Sequence, residues 1–238
     1  MKVKKVLLSE GNWYFWEKGD LHTDLGSLKE LDILKNSKIK SNKNFEFFVF
    51  DANFFDKMQR IKRIPQAIME KDIASILAYS GITKSSIVLE AGTGSGKLSS
   101  YLAQYCKKVI SFDINEEYLK VAKENFNNLK IKNIELDKAD IYKKINLNLK
   151  VDVFILDVPS PWLALENIDN LKQGGTFVAY LPTIVQVINL VNESKKFNLK
   201  FVKCIENIER SWIIEDPRVR PESKIQFTAF HVFFRKFD

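Results

Sequence analysis

Cysteine and histidine are scarce in this chain: Cys106, Cys204, His22 and His231 are all it has among 238 residues. Two cysteines so far apart make neither a disulfide scaffold nor a zinc site, and a reducing compartment is the simplest setting for them. The two histidines fall in different parts of the chain without ligand spacing, so no metal is expected. Long apolar runs are missing as well. The start, Met1-Lys-Val-Lys-Lys-Val, has no signal-peptide core. The most apolar window, Phe177 to Val191, is interrupted by Pro182, Gln186 and Asn189 and is too short to span a bilayer. No internal repeat or low-complexity linker is present. A soluble, cytoplasmic protein is expected.

What the chain has in quantity is apolar material. The hydrophobic fraction is 45%, with 18 Phe, which excludes a disordered chain and suits one or two domains. The net charge of +7 and pI near 9.2 fit an anionic partner and an ordinary lysine-rich surface equally well. Residues 1–63 hold 13 Lys/Arg against 9 Asp/Glu and the remainder 24 against 21, so positive charge is denser at the front.

Those first residues also differ in texture. Val6-Leu-Leu, Trp13-Tyr-Phe-Trp and Phe45-Glu-Phe-Phe-Val-Phe are separated by turn-rich or lysine-rich pieces, the pattern of short strands in a small β domain over 1–63. From Pro65 the spacing of Ile68, Ile73, Ile76 and Leu77 predicts a helix with proline near its start. Strands then alternate with helices: Ile87–Glu90, Lys97–Cys106, Val109–Phe112, Asn115–Asn125, Ile134–Leu136, Val151–Leu156, Thr176–Leu181 and Thr183–Lys195. Such alternation predicts a mostly parallel sheet with helices on both faces over 64–238. Two further strands, from Leu199 and from Gln226, have no helix between them and so pair as antiparallel neighbours. Five parallel strands closed by such a pair form the Rossmann-like, seven-stranded sheet of class I methyltransferases.

The first strand of that sheet runs into Val88-Leu-Glu-Ala-Gly92-Thr-Gly94-Ser-Gly96-Lys. A triphosphate loop needs G-x-x-x-x-G-K-[ST], but Ala91 occupies the first glycine position and Leu98 the hydroxyl position. A dinucleotide loop needs G-x-G-x-x-G, and here the third glycine comes one residue early. Asp113, at the end of the second strand, suits a ribose diol in either class of cofactor. Glu90 discriminates. A carboxylate beside the glycines would repel a pyrophosphate, yet suits the cationic amino group of S-adenosylmethionine. The glycines let backbone pass close to that cofactor, and Asp140 is placed to accept from its adenine amine.

The fourth strand ends in Asp157-Val-Pro-Ser-Pro-Trp162. Ligands in such sheets bind beyond the carboxyl ends of the strands, so Asp157 is expected to face the transferred methyl group and Trp162 to offer a packing surface. An acid followed by Pro-x-Pro-aromatic resembles the loops of methyltransferases that act on an adenine nitrogen. N1 of adenine already carries a lone pair, and a carboxylate accepting from the exocyclic amine stabilises the charge that develops on the ring.

With these motifs in place, the chain resembles the tRNA N1-methyladenosine methyltransferases that modify position 58 of the T-loop, with an archaeal branch acting also at position 57. The resemblance extends over nearly the whole chain. It includes Gly19-Asp-Leu-His-Thr-Asp-Leu-Gly26, Arg63-Ile-Pro-Gln66-Ala-Ile-Met-Glu-Lys71-Asp72, the glycine segment, Asp157-Val-Pro-Ser-Pro-Trp162 and Val219-Arg220-Pro221. It implies that Gln66, Glu90, Gly92, Gly94, Gly96, Asp113 and Asp140 bind S-adenosylmethionine and that Asp157 engages the target adenine. It also implies that the Arg218–Arg220 loop contacts RNA and that the protein is a homotetramer, with the Phe47–Phe55 segment available as an interface. Arg210, Lys224 and the Lys35–Lys43 loop are further candidates to grip the phosphates, with a solvated surface charge as the alternative for each. The chain departs from the family in having Asp113 for Glu, Ser160 for an acid, Met69-Glu for Tyr-Pro, and Phe227-Thr-Ala for His-Thr-Gly. The alternatives are a protein isoaspartate or small-molecule methyltransferase, and a non-catalytic tRNA-binding paralogue.

Overall fold

A computed structural model describes residues 2–64, 67–215, 217–223 and 227–237. The chain divides into two compact units, Met1–Lys62 with Asn127–Lys130, and Arg63–Phe126 with Ile131–Asp238.

The first unit contains β1 (Lys5–Ser9), β2 (Asn12–Trp16), β3 (Leu21–Thr23), β4 (Gly26–Leu28), α1 (Glu30–Lys35), β5 (Lys38–Lys40), β6 (Glu46–Asp51) and α2 (Phe54–Met58). Four strands form an antiparallel sheet in the order β2-β1-β6-β5, and β3 and β4 form a separate hairpin. The β1–β2 turn is two residues, Glu10-Gly11, both at positive φ, the geometry that matches strand twist in a tight hairpin. Alternation in β6 buries Phe47 and Val49 in a core with Leu7, Trp16, Leu28, Ile33 and Ile39, and leaves Phe48 and Phe50 exposed. The Phe47–Phe55 segment is therefore split between core and surface.

The second unit begins with α3 (Glu70–Ser80), which stops at Gly81 in the left-handed conformation. Then follow β7 (Ile87–Ala91), α4 (Lys97–Tyr105), β8 (Lys108–Asp113), α5 (Glu116–Leu129), β9 (Ile134–Lys138), β10 (Val151–Leu156), a 3-10 run over Pro161–Asn170, β11 (Leu171–Leu181), α6 (Ile184–Ser194), β12 (Leu199–Glu206), β13 (Trp212–Glu215), β14 (Arg218–Pro221) and β15 (Phe230–Lys236). The sheet order is β12-β15-β11-β10-β7-β8-β9. Strands β11, β10, β7, β8 and β9 run parallel, and β15 is antiparallel to both β11 and β12. This is the class I methyltransferase sheet expected from the alternation. Asn115 caps α5, its side-chain oxygen accepting from the Glu117 N–H, and Thr183 caps α6 by accepting from the Gln186 N–H.

The central strands are buried on both faces, which is why β7, β10 and the Thr176–Leu181 part of β11 read as nearly continuous apolar runs. One face packs Phe154, Phe177, Leu165 and Phe234, and the other packs Ile73, Ile76, Leu98, Leu102 and Ile155.

Three expectations need correction. The helix predicted from Pro65 starts at Glu70, so Ile68 is buried ahead of it and not on its stripe; Pro65 itself lies outside the described residues. The segment carrying Arg218 and Arg220 is not a loop but the second strand of the β13–β14 hairpin. The last strand starts at Phe230, and Gln226 is outside the described residues. The Pro-Ser-Pro segment also leads into a 3-10 run that its stiffness did not announce.

Phe177 is fully buried, with ring centroids of Phe154 and Phe234 at 5.5 and 5.6 Å. Phe177→Ala is expected to cost about 3–5 kcal/mol, read as a fall in the urea midpoint. A loss under about 1 kcal/mol would mean that the core collapses around the gap.

Candidate active site

In the sheet the chain steps from β7 to β8 and β9 on one side and to β10 and β11 on the other. The strand order reverses between β7 and β10, and a crevice opens beyond the carboxyl ends of such strands. The glycine loop and Asp157 meet there. Leu156 pairs with Ala91, and the Asp157 N–H donates to the Ala91 carbonyl at 2.9 Å. Gly92 follows at φ +93°, and a Cβ on it would lie 2.0 Å from the Asp157 carbonyl oxygen. Only glycine allows that approach. Gly94 (φ +56°) donates its N–H to Asp113 Oδ2 at 2.9 Å. Gly96 (φ +75°) starts α4 against the Phe126 ring, with a Cβ contact of 2.4 Å if it had one.

Asp113 ends β8 with both carboxylate oxygens engaged, Oδ2 by Gly94 and Oδ1 by the Asn115 N–H at 2.9 Å. Asp113 and Asp140 line one cavity of about 110 Å³ together with Gly92, Phe112 and Ile141. Asp157, Gly92 and Gly94 line a second, of about 40 Å³, with Ile68 and Lys97. Glu90 lines neither. It is fully buried, and its Oε2 accepts from Ser99 Oγ and from Ser111 Oγ, the latter at 2.8 Å. Its Oε1 is buried without a hydrogen-bond partner among the described residues. Burial pushes the Glu90 carboxyl up to about 7 against the pull of its two serines, and the charges of Asp157 and Asp113 add to that. Burial, then the charge of Asp113, also pushes Asp157 up to about 7.

Three acids thus share a small region in which like charges oppose one another. Gly92 and Gly94 form a cradle suited to a cation that comes close to backbone, and the orphaned Glu90 Oε1 lies outside both cavities. S-adenosylmethionine, with a sulfonium, an amino group, a ribose diol and an adenine amine, fits this donor and acceptor set.

The remaining expected residues are dispersed. Trp162 sits half-buried in the 3-10 run, packed against the main core. Arg218 and Arg220 are exposed on β14 opposite Glu215 and Ile213. Gln66 and Lys224 lie outside the described residues. A larger cavity than these two, about 680 Å³, lies at the opposite end of the sheet. Its lysines are already engaged: Lys236 with the Ile168 and Leu171 carbonyls, Lys150 with the Asp169 carbonyl, Lys172 with Asp152 and Lys196 with Glu193. Among the described residues no group of three His, Cys, Asp or Glu could hold a metal ion, and no helix is long and apolar enough to cross a membrane.

A polar cluster around Asp72, built from residues with no role assigned from the sequence, adjoins this site. Lys71, Tyr180, Asn207, Thr228 and His231 surround it. The one signal available was an aromatic phenol and an imidazole interrupting otherwise apolar strands.

Residues 59–228 match the family described as tRNA methyltransferase complex GCD14 subunit. A tRNA (adenine(57)-N(1)/adenine(58)-N(1))-methyltransferase, TrmI, of Methanocaldococcus jannaschii is 33% identical over 94% of this chain and 92% of its own length. The tRNA (adenine(58)-N(1))-methyltransferase TrmI of Thermus thermophilus is 26% identical over 92% of this chain and 90% of its own. Among solved structures, the tRNA (m1A58) methyltransferase TrmI of Aquifex aeolicus superposes with a TM-score of 0.83 at 26% identity, covering 100% of this chain and 98% of that one. A SAM-dependent O-methyltransferase of Thermotoga maritima gives 0.88 at 23% identity, over 100% and 94% of the two chains, and shares the fold.

A carboxyl raised above its unfolded value holds its proton in the fold, so the stability it contributes is present below about pH 4.5 and is lost as pH rises through about 7. For Glu90 the span corresponds to about 3 kcal/mol. The urea midpoint of the ligand-free protein is expected to fall between pH 5 and 7.5, and Glu90→Gln to flatten that fall. An identical slope in both proteins would refute the assignment.

Proposed function

Since the chain belongs to the GCD14 family of tRNA methyltransferases, we propose that it is a tRNA (adenine-N1)-methyltransferase. In this reading it uses S-adenosylmethionine to form N1-methyladenosine at position 58 of the T-loop, with position 57 as a second target on the pattern of the Methanocaldococcus relative. The observation that carries this reading is the seating of Asp157 against Gly92, which puts an acid beside the cofactor loop at the point where the sheet opens.

The bound cofactor would supply an electrophilic methyl group. Asp113 and Asp140, facing one cavity, would take the ribose hydroxyls and the adenine amine. Glu90 would act from beneath the loop, its negative charge attracting the cofactor's cationic end across the backbone at Gly92 and Gly94. Gln66 joins this set by resemblance alone.

Asp157 is assigned to the acceptor. It would accept from the exocyclic amine of the target base, orienting N1 toward the methyl group and stabilising the positive charge that spreads over the ring as the bond forms. That role needs the carboxylate ionised. Burial and then the charge of Asp113 oppose ionisation, and a cation beside it would favour it. No base is required to create the nucleophile, because the N1 lone pair is free. The target adenine is held inside folded tRNA, so it must leave its stack to reach Asp157. Arg210, Arg218 and Arg220 are proposed phosphate contacts, and Trp162 a packing surface for the base. A cytoplasmic homotetramer belongs to the same reading, with exposed Phe48, Phe50 and Phe55 as available apolar surface.

The test is incubation with an unmodified tRNA transcript and methyl-labelled S-adenosylmethionine, followed by mass spectrometry of the nucleosides. N1-methyladenosine in the T-loop is expected. Cofactor binding without label in RNA would overturn the substrate assignment. Asp157→Ala is expected to keep its cofactor affinity in calorimetry while turnover drops about 100- to 1000-fold; parallel loss of both would mark Asp157 as a structural cap. If the raised carboxyls meet a cation, cofactor binding at pH 7 also releases protons. The binding heat should then differ between buffers of different ionisation enthalpy, and equal heats would exclude this.

A further inference from the structure

Asp72 is fully buried, yet one cationic group, one potentially cationic group and three neutral donors converge on it. Its Oδ2 accepts from the Tyr180 hydroxyl at 2.9 Å and from Thr228 Oγ1 at 2.6 Å. Its Oδ1 accepts from Lys71 Nζ at 2.8 Å and from Asn207 Nδ2 at 3.3 Å. Lys71 Nζ also donates to Thr228 Oγ1 at 2.6 Å and to the Asn207 carbonyl at 3.0 Å. His231 Nε2 stands 3.2 Å from Oδ1, out of line for a hydrogen bond. The donors come from α3, β11, the segment after β12, the segment before β15, and β15 itself. Burial opposes the charge on Asp72, but His231, Lys71, Thr228 and Tyr180 together hold its carboxyl well below the usual carboxylate range.

Such a cluster is a poor device for stability alone, because burying an ion pair costs about what the pairing returns, and apolar residues of similar volume serve as well. Its location points to another use. In the parallel register Leu156 pairs with Ala179, so Asp157 and Tyr180 are the next residues on neighbouring strands. They follow the face of Ile155 and Val178, which pack with α3 and α4. Tyr180 in turn pairs with His231 across β11 and β15, with ring centroids 5.3 Å apart. The Tyr180 ring is half-buried, while its hydroxyl is tied down to Asp72. A planar group with one fixed end therefore stands beside the acid assigned to the acceptor.

We infer that Asp72 is a positioning residue for methyl transfer: through Oδ2 it holds Tyr180 and Thr228, and so fixes the Tyr180 ring as the wall beside Asp157 against which the acceptor base packs. This inference rests on the adenine acceptor proposed above. Asp72 touches neither substrate nor cofactor, and Tyr180 is the group through which it acts. An amide at position 72 offers one oxygen where two are used, so either the Lys71 side or the Tyr180 side loses its acceptor.

The experiment is a double-mutant cycle in the full chain with Asp72→Asn, Tyr180→Phe and both together, using the unmodified tRNA transcript. Each single variant is expected to lower kcat/KM for tRNA by about 10- to 100-fold, the scale of a misplaced reacting group. The double variant should be no worse than the poorer single one, because both changes cut the same tie. Cofactor affinity should stay within about twofold throughout. Multiplied losses, a fully active Asp72→Asn, or cofactor binding lost in step with turnover would each overturn the inference. If Asp72→Asn does not fold, Thr228→Val replaces it in the cycle with the same expectation. If the unsubstituted enzyme transfers no methyl to tRNA, the substrate assignment fails by itself. The crystal structure of the position-72 or position-228 variant then decides the positioning claim, a displaced Tyr180 hydroxyl supporting it and an unmoved one refuting it.

Discussion

The approach of Gly92 to the carbonyl of Asp157 is the contact on which the active-site geometry depends. A single methyl group on Gly92 would lie 2.0 Å from that oxygen, well inside any contact distance. With hydrogen there, the loop after β7 and the end of β10 close on each other, and the hydrogen bond from Asp157 to Ala91 keeps them in register. The cavities holding Asp113 with Asp140, and Asp157 with the loop, both include Gly92 in their walls. Packing of the apolar strands brings β7 and β10 together, and the missing side chain turns that adjacency into a crevice.

Charge follows a different logic inside the crevice from that on the surface. The chain carries a net +7, yet the residues gathered at the strand ends are acids. Burial, and after it their mutual repulsion, raises Glu90 and Asp157 to about 7, a cost that a cationic ligand would relieve. Surface lysines and arginines can meet an RNA backbone without approaching this pocket. A basic exterior and an acidic interior match the two halves of the proposed reaction, a polyanionic substrate and a cationic methyl donor.

Local patterns made much of this readable. Alternation of apolar strands with amphipathic helices announces five parallel strands, and two strands without a helix between them announce the antiparallel closure. Glycines at 92, 94 and 96 announce a loop, because they supply positive φ at the end of an apolar run. Asp113 and Asp157 follow from position, each standing at the carboxyl end of a strand. Glu90 was legible as an acid beside the glycines but not as a side chain turned beneath them, because Ser99 and Ser111, which hold it there, come from other elements. The onset of α3 at Glu70 and the β13–β14 hairpin were missed because neither carries a strong periodic signal of its own.

The sequence by itself determined the order of elements, the cofactor loop and the acids at the strand ends, because each depends on residues within a few positions of one another. Only the tertiary structure decided what those residues face. Asp72 and Thr228 are 156 positions apart in the chain and 2.6 Å apart in space. Burial forces such a charge to find its partners wherever the packed sheet presents them, and no local pattern records which strands will be neighbours at that depth.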